Sequence, residues 1–164
     1  MIIIILFNYV QPKFVYSFTK IFIMGNIVNS EPYQWKDEYT VNITVIDEQH
    51  KKFLSIINDL KLIINGKSCK EKVSDIFFQL AYLIDYYFLK EEIYFNDLKY
   101  PNFDHHKKQH NLFIDRVIQF QKDLENNKPD LCLEIYQYLE NWFDEHILKY
   151  DKEAVEYLKN GGVK

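Results

Sequence analysis

Apolar side chains recur at intervals of three and four along four stretches of this chain, and the breakers between the stretches are few. The first runs from about Asp47 to Asn65, with His50, Phe53, Leu54, Ile57, Leu60 and Ile64 on one face. That i, i+3, i+4, i+7 spacing predicts an amphipathic helix. Asp47 is its expected N-cap and Gly66 its left-handed stop. The second runs from Ser68 to about Leu98. It opens with capping-box spacing between Ser68 and Glu71 and turns Val73, Ile76, Phe77, Leu80, Ile84, Tyr87, Glu91 and either Tyr94 or Phe95 inward. Pro101 closes the connection after it. The third runs from about Asp104 to Glu125, with His106, His110, Phe113, Ile114, Val117 and Leu124 on one face. Asn126, Asn127 and Pro129 make a turn. The fourth runs from about Asp130 to Leu158, with Ile135, Leu139, Trp142, Phe143 and His146 facing in. Short connections force neighbouring helices to be antiparallel. The expected fold is all-α: an up-down-up-down four-helix bundle over residues 47–158, with residues 159–164 as a tail.

Residues 25–46 precede the bundle as an N-terminal arm. From Glu31 to Ile46, Pro32 and the alternating Val41, Ile43 and Val45 read as extended chain, with Trp35 packed on the bundle. Residues 1–24 stand outside any domain. They are apolar and aromatic, Lys13 and Lys20 are their only charges, and Pro12 interrupts them. They hold no uninterrupted span of about 20 apolar residues, and no positive residue leads them as in a secretory signal. Met24 is read as the working start, which opens MGNIVNS. There Asn29 stands where a myristoylation signal prefers Ser or Thr. The other reading of residues 1–24 is a targeting or anchor segment.

Composition agrees with a helical core. Four Gly and four Pro in 164 residues argue against a turn-rich β fold, and 13 Phe with 13 Tyr make the interior aromatic. The net charge of −4 and the scattered lysines carry no basic stripe, so no nucleic-acid partner is expected. Cys69 and Cys132 lie far apart and form no CxxC. Two reduced thiols in an intracellular, cytoplasmic protein are the plainer reading than a disulfide or zinc site.

The polar residues on the apolar faces change the picture. Of five histidines, His50, His106, His110 and His146 fall on buried stripes of three helices, whereas His105 points about 100° from His106 and reads as surface. One inward His is ordinarily a core residue bonded to a carbonyl. Four would each need a separate buried partner, because an unpaired polar group in a core costs ~1–3 kcal/mol. A shared metal satisfies them together. Glu91 sits between apolar neighbours, where an ionised carboxylate needs a partner or a metal. Asp151 follows His146 by five residues, and an ideal helix points the two well apart. For both to bind, the helix must be wound differently there; otherwise Asp151 is a surface residue. His106 and His110 stack one turn apart and can share one metal, with His146 arriving from the next helix. Imidazole and carboxylate without thiolate suit iron, manganese or zinc, and a bundle core is an established setting for dinuclear iron.

Together, Trp35 with Asp37-Glu38, IDEQHKKF (Ile46 to Phe53), FLKEE (Phe88 to Glu92), Tyr100-Pro101, HKKQH (His106 to His110) and WFDEHILKYD (Trp142 to Asp151) resemble the hemerythrin family over about Tyr33 to Leu158. The resemblance implies a bundle with two non-haem irons joined by an oxo or hydroxo bridge. It implies that His106, His110 and His146 bind one iron, that His50 binds the other, and that Glu91 and Asp151 bridge them. The family supplies one more histidine, before the Phe of its HFxxEE motif. Here that position is Tyr87. Tyr87 ligates as a phenolate, or leaves a water in the shell, or lets the second iron bind loosely; as a plain buried aromatic it does none of these. Phe53, Phe88 and Phe95 are candidates for an apolar wall at the open iron. The implied function is binding of O₂ or a related diatomic or peroxide ligand for storage, delivery or sensing, without catalysis. The alternative is a redox, peroxide-handling or iron-handling protein whose site is altered by Tyr87.

Overall fold

The computed structural model describes residues 31–65 and 69–162. The expectations resting on residues 1–24, Gly66 and Ser68 lie outside the described residues. Four helices build the bundle. Helix α1 is Thr44–Asn65. Helix α2 is α-helical over Cys69–Tyr82, π-helical over Leu83–Phe88 and α-helical again over Leu89–Asp97. Helix α3 is Phe103–Glu125. Helix α4 is α-helical over Leu131–Glu145, π-helical over His146–Asp151 and α-helical over Lys152–Asn160. Helices α1 and α3 each pack on both α2 and α4, which closes the four-membered ring expected of an up-down-up-down bundle.

The middle and one end of the bundle are dry. Ile57, Leu60, Ile76, Leu80, Phe120, Ile135 and Leu139 are all fully enclosed. Burying such side chains stabilises the fold by roughly 1.5–3 kcal/mol each. The helix ends are finished by backbone geometry. Past α2, Lys99 takes a left-handed φ of 57°, its N–H reaches the Asn96 carbonyl and the Tyr100 N–H reaches that of Phe95. Asn127 (φ 54°) does the same past α3, with bonds from Asn127 to Leu124 and from Lys128 to Asp123.

The arm departs from the extended reading. Asp37–Tyr39 is a 3₁₀ turn, Asn42 turns the chain at φ 56°, and α1 begins at Thr44, ahead of Asp47. Val41, Ile43 and Ile46 are buried against Phe95, Tyr100, Ala154 and Leu158, so their alternation marks a cap over the bundle end. Asp47 is inside the first turn and accepts the Val41 N–H at 2.8 Å. Half-buried Trp35 packs on Tyr39 with ring centroids 5.7 Å apart. Tyr33 and Tyr39 both donate to Asp144 Oδ1 of α4, at 2.5 and 2.6 Å.

The cysteines also depart from expectation. Cys69 and Cys132 form a disulfide with Cα atoms 6.0 Å apart. Antiparallel packing sets the first turn of α2 beside the first turn of α4, which linear spacing does not reveal. The cysteines therefore no longer argue for a reducing compartment. Among the described residues, no helix is long and apolar enough to cross a membrane.

Candidate metal centre

All six inward polar residues singled out by pattern meet at the end of the bundle beneath the cap. His50 comes from the second turn of α1, Glu91 from the last part of α2, His106 and His110 from the start of α3, and His146 and Asp151 from the π-helical turn of α4. Each is 5 % exposed or less. Ligand atoms of Glu91, His106, His110 and His146 lie within 4.8 Å of one another, and so do those of His50, Glu91 and Asp151. Glu91 belongs to both groups.

The winding of α4 explains how Asp151 arrives. In a π turn the hydrogen bonds run i to i+5, so residue i+5 returns toward the face of residue i. Asp151 Oδ1 accordingly stands 3.2 Å from His146 Nε2 and 3.6 Å from His106 Nε2, while Oδ2 is 3.0 Å from His50 Nε2. The local rewinding required for both residues to face inward is present, and the alternative of a surface Asp151 is not. The π turn in α2 has the opposite effect on its stripe. It buries Leu83 and Phe88 and leaves Ile84 and Tyr87 half-buried, displaced from the inward line on which a regular helix puts them.

Aromatic rings hold the imidazoles. Phe88 stacks on His110 at 3.9 Å and Trp142 on His146 at 4.1 Å, both nearly parallel. Phe95 meets His106 edge-on at 4.6 Å. His110 alone has a side-chain carboxylate on its outer nitrogen: Glu92 Oε1 is 3.1 Å from Nδ1, and Lys107 donates to Glu92 Oε2 at 2.7 Å. That contact orients the ring and favours the tautomer with Nε2 free. His105 is exposed, as expected.

The electrostatics match a site awaiting positive charge. Burial and the neighbouring Asp151 push Glu91 up, but the facing His106 and His110 imidazoles outweigh them and hold it at about 2. Asp151 is likewise raised by burial and pulled well below the ordinary carboxylate range by His146 and His50. Burial lowers His146 to about 4, against the pull of Asp151, so this imidazole is neutral and a ready donor. His50 and His110 lie above the ordinary value: burial lowers both, but Asp151 raises His50 further, and Glu91 with Glu92 raise His110 further.

The donors fit a metal on internal grounds. Nε2 and Nδ1 of His106, Nδ1 of His50 and His146, and Oδ1 of Asp151 are buried without a hydrogen-bond partner. His110 Nε2 and His146 Nε2 face each other at 3.2 Å. Orphaned buried groups of this kind are costly in a closed core. A cation among the converging atoms removes the cost for His106 Nε2 and Asp151 Oδ1, and four imidazoles with two carboxylates are a donor set iron accepts. The cluster is poised to coordinate a non-haem di-iron centre.

The model of the hemerythrin HHE cation binding domain matches residues 41–158. This chain belongs to the hemerythrin family. It is 29 % identical over 126 residues to a bacteriohemerythrin of Clostridium acetobutylicum, covering 74 % of this chain and 98 % of that protein. A bacteriohemerythrin of Pseudomonas aeruginosa is 30 % identical over 129 residues, covering 77 % of this chain and 81 % of the relative. A myohemerythrin of Theromyzon tessulatum is 32 % identical over 87 residues, covering 53 % and 67 %.

The two sides of this hemerythrin centre are not alike. Nearest the His50 side lies a cavity of about 20 Å³, walled in part by Phe53, Phe88 and Trp142 and reached by His50, Glu91, Asp151 and His146 but not by His106 or His110. That is room for about one small molecule. Of the three phenylalanines expected as a wall, Phe53 and Phe88 line it. Phe95 instead packs on Tyr100 and His106. Tyr87 also borders the cavity, with its ring edge-on to Tyr82 and Tyr86. Burial first, then Tyr82 and Tyr86, raises its phenol above the ordinary value. Sequence reading passed over Gln49, which is 4 % exposed and lines the same cavity. It falls on the α1 stripe three residues after Ile46 and four before Phe53, and only its polarity disguised it.

Proposed function

We propose that this hemerythrin holds two irons and takes up O₂ or a related diatomic or peroxide ligand for storage, delivery or sensing. One observation carries the reading: two donor groups share Glu91, and a small apolar-walled cavity is bordered by every member of the His50, Glu91, Asp151 group but by neither His106 nor His110 of the other. On this reading His106, His110 and His146 hold one iron, His50 the other, and Glu91 and Asp151 bridge them. Two irons held there would supply the redox chemistry that small-ligand uptake needs. The protein supplies the rest. Stacked Phe88 and Trp142 keep His110 and His146 from turning, Glu92 holds the tautomer of His110, and Phe53 with Phe88 limits water at the open side. Every role these residues take is to hold, orient or shield, so the proposed role is binding. Iron analysis should give two irons per chain, with an absorption spectrum that changes when oxygen is admitted. One iron or none in freshly purified protein defeats the proposal.

Tyr87 supports a second reading, in which the protein handles peroxide or iron. It stands where the family carries a histidine and borders the cavity. The second iron then has one nitrogen donor fewer and either a phenolate or a water in its place. Peroxide turnover that disappears in Tyr87→Phe favours this reading. A Tyr87→His variant whose spectrum shifts toward the oxygen-responsive form favours the first.

A further inference from the structure

Gln49 has no structural employment. Its side chain is buried, and neither Nε2 nor Oε1 has a hydrogen-bond partner. A buried amide left unpaired costs roughly 1–3 kcal/mol, and a leucine of similar size would avoid that cost at this point on α1. The residue lines the cavity beside His50, Tyr87, Glu91 and Asp151. The ligand side chains there already face one another or their neighbours: Asp151 meets His50 at 3.0 Å and His146 at 3.2 Å, and Glu91 faces His106 and His110 at 3.9 and 3.4 Å. Gln49 is thus a neutral donor with free N–H bonds on a wall whose other residues are aliphatic groups, ligand side chains and rings, Tyr87 and Trp142 among them carrying an O–H and an N–H of their own.

We infer that Gln49 is the hydrogen-bond anchor of the ligand cavity and biases it toward small anions of two or three heavy atoms that accept a hydrogen bond at their outer end. An apolar diatomic held by shape alone gains little from the amide. An anion gains a directed bond in a site from which water is largely excluded. Gln49 is a specificity-determining residue on this account. The inference rests on the di-iron reading above.

Azide is the probe. It is titrated into iron-loaded ferric protein, wild type and Gln49→Leu, with the absorption spectrum as readout and affinity expressed per iron-loaded molecule. A single lost hydrogen bond predicts about tenfold weaker azide binding in the variant. Gln49→Met is carried alongside, so that a folding failure of one variant leaves the other to decide. The second measurement needs no iron: metal-free Gln49→Leu should melt above metal-free wild type, because an unpaired buried amide has been replaced by an apolar group. Equal azide affinity in wild type and variant overturns the inference. So does a lower melting point of the metal-free variant, which would make the amide a structural partner, and so does loss of iron from the variant. Wild type that holds fewer than two irons defeats the di-iron reading instead, and the metal-free melting comparison still judges Gln49.

Discussion

The two ends of this bundle are built from the same four helices and solve opposite problems. At the end that holds the disulfide, α1 to α4 are regular and the contents are mainly apolar, with Leu60, Ile76, Leu80, Phe120 and Leu139 enclosed and Lys61 the one buried charged residue there among those described. At the capped end seven polar residues, Gln49 and the six donors, are buried together, and two of the four helices abandon α winding there. The comparison teaches what the metal end demands. A regular helix sends His146 and Asp151 to different faces, so α4 is rewound to bring both inward. Regular packing suffices where the contents are apolar, because burial is indifferent to direction. Donor atoms must converge on a point, and that requires particular side-chain directions.

If the ends are separable in this sense, breaking one should leave the other standing. The largest effect is expected for His106→Ala. It takes a nitrogen from the three-histidine corner and should reduce iron from two per chain to one or none, with the loss read by metal analysis, while far-ultraviolet circular dichroism still reports a helical bundle. Retention of both irons would mean that His106 is a core residue only.

The disulfide end gives the complementary test. Replacing both cysteines, Cys69→Ser with Cys132→Ser, frees a loop of 63 residues. Loop-closure entropy puts the loss at about 4 kcal/mol, visible as a lower denaturant midpoint. Iron content should remain at two, since the bridge lies at the far end from the donors. Loss of iron in the double variant would show that the ends are coupled and sink the comparison.

A third test falls on the arm, which is tied to α4 by phenols instead of metal or disulfide. Burial first, then the hydrogen bond to Asp144, raises Tyr33 and Tyr39 above the ordinary phenol value. The unfolded chain gives up these protons near pH 10, before the folded one does, so it binds fewer protons there and stability falls as pH rises above about 10. Below that pH the contribution is fully present. Denaturant midpoints measured from pH 7 to 10.5 should lose this contribution only as the pH approaches and passes about 10, and that final decline should be shallower in the Tyr33→Phe, Tyr39→Phe double variant. A slope unchanged by the substitutions would mean that the Asp144 contacts add nothing.

The smallest effect is at the end of α2. Lys99 is held at φ 57°, where a side chain costs about 1 kcal/mol that glycine avoids. Lys99→Gly should raise the melting temperature by a few degrees and leave iron content unchanged. A fall would show that the lysine side chain stabilises the turn by more than its backbone strain.

Much of this could be read from the chain itself. The bundle was legible because α1, α3 and the first part of α4 repeat apolar residues at helical intervals, and short breakers force antiparallel neighbours. The candidate donors were legible for the same reason: a His or Glu on an apolar face is conspicuous, and four helical faces that must meet bring such residues together. Even the irregular winding of α4 was implied by the five-residue interval between His146 and Asp151. Tertiary structure alone decided the rest. The cap formed by Val41, Ile43 and Ile46 looked like extended chain because alternation and capping bury the same residues. The register of α2 was lost at its π turn, which moved Phe88 inward and left Tyr87 on the cavity wall. The Cys69–Cys132 bridge depends on which helix starts lie side by side, and Gln49 became visible only once its cavity did. Periodicity is a property of one helix and can be read locally. Pairing, register shifts and enclosed space are properties of several segments at once, and no single stretch of residues encodes them.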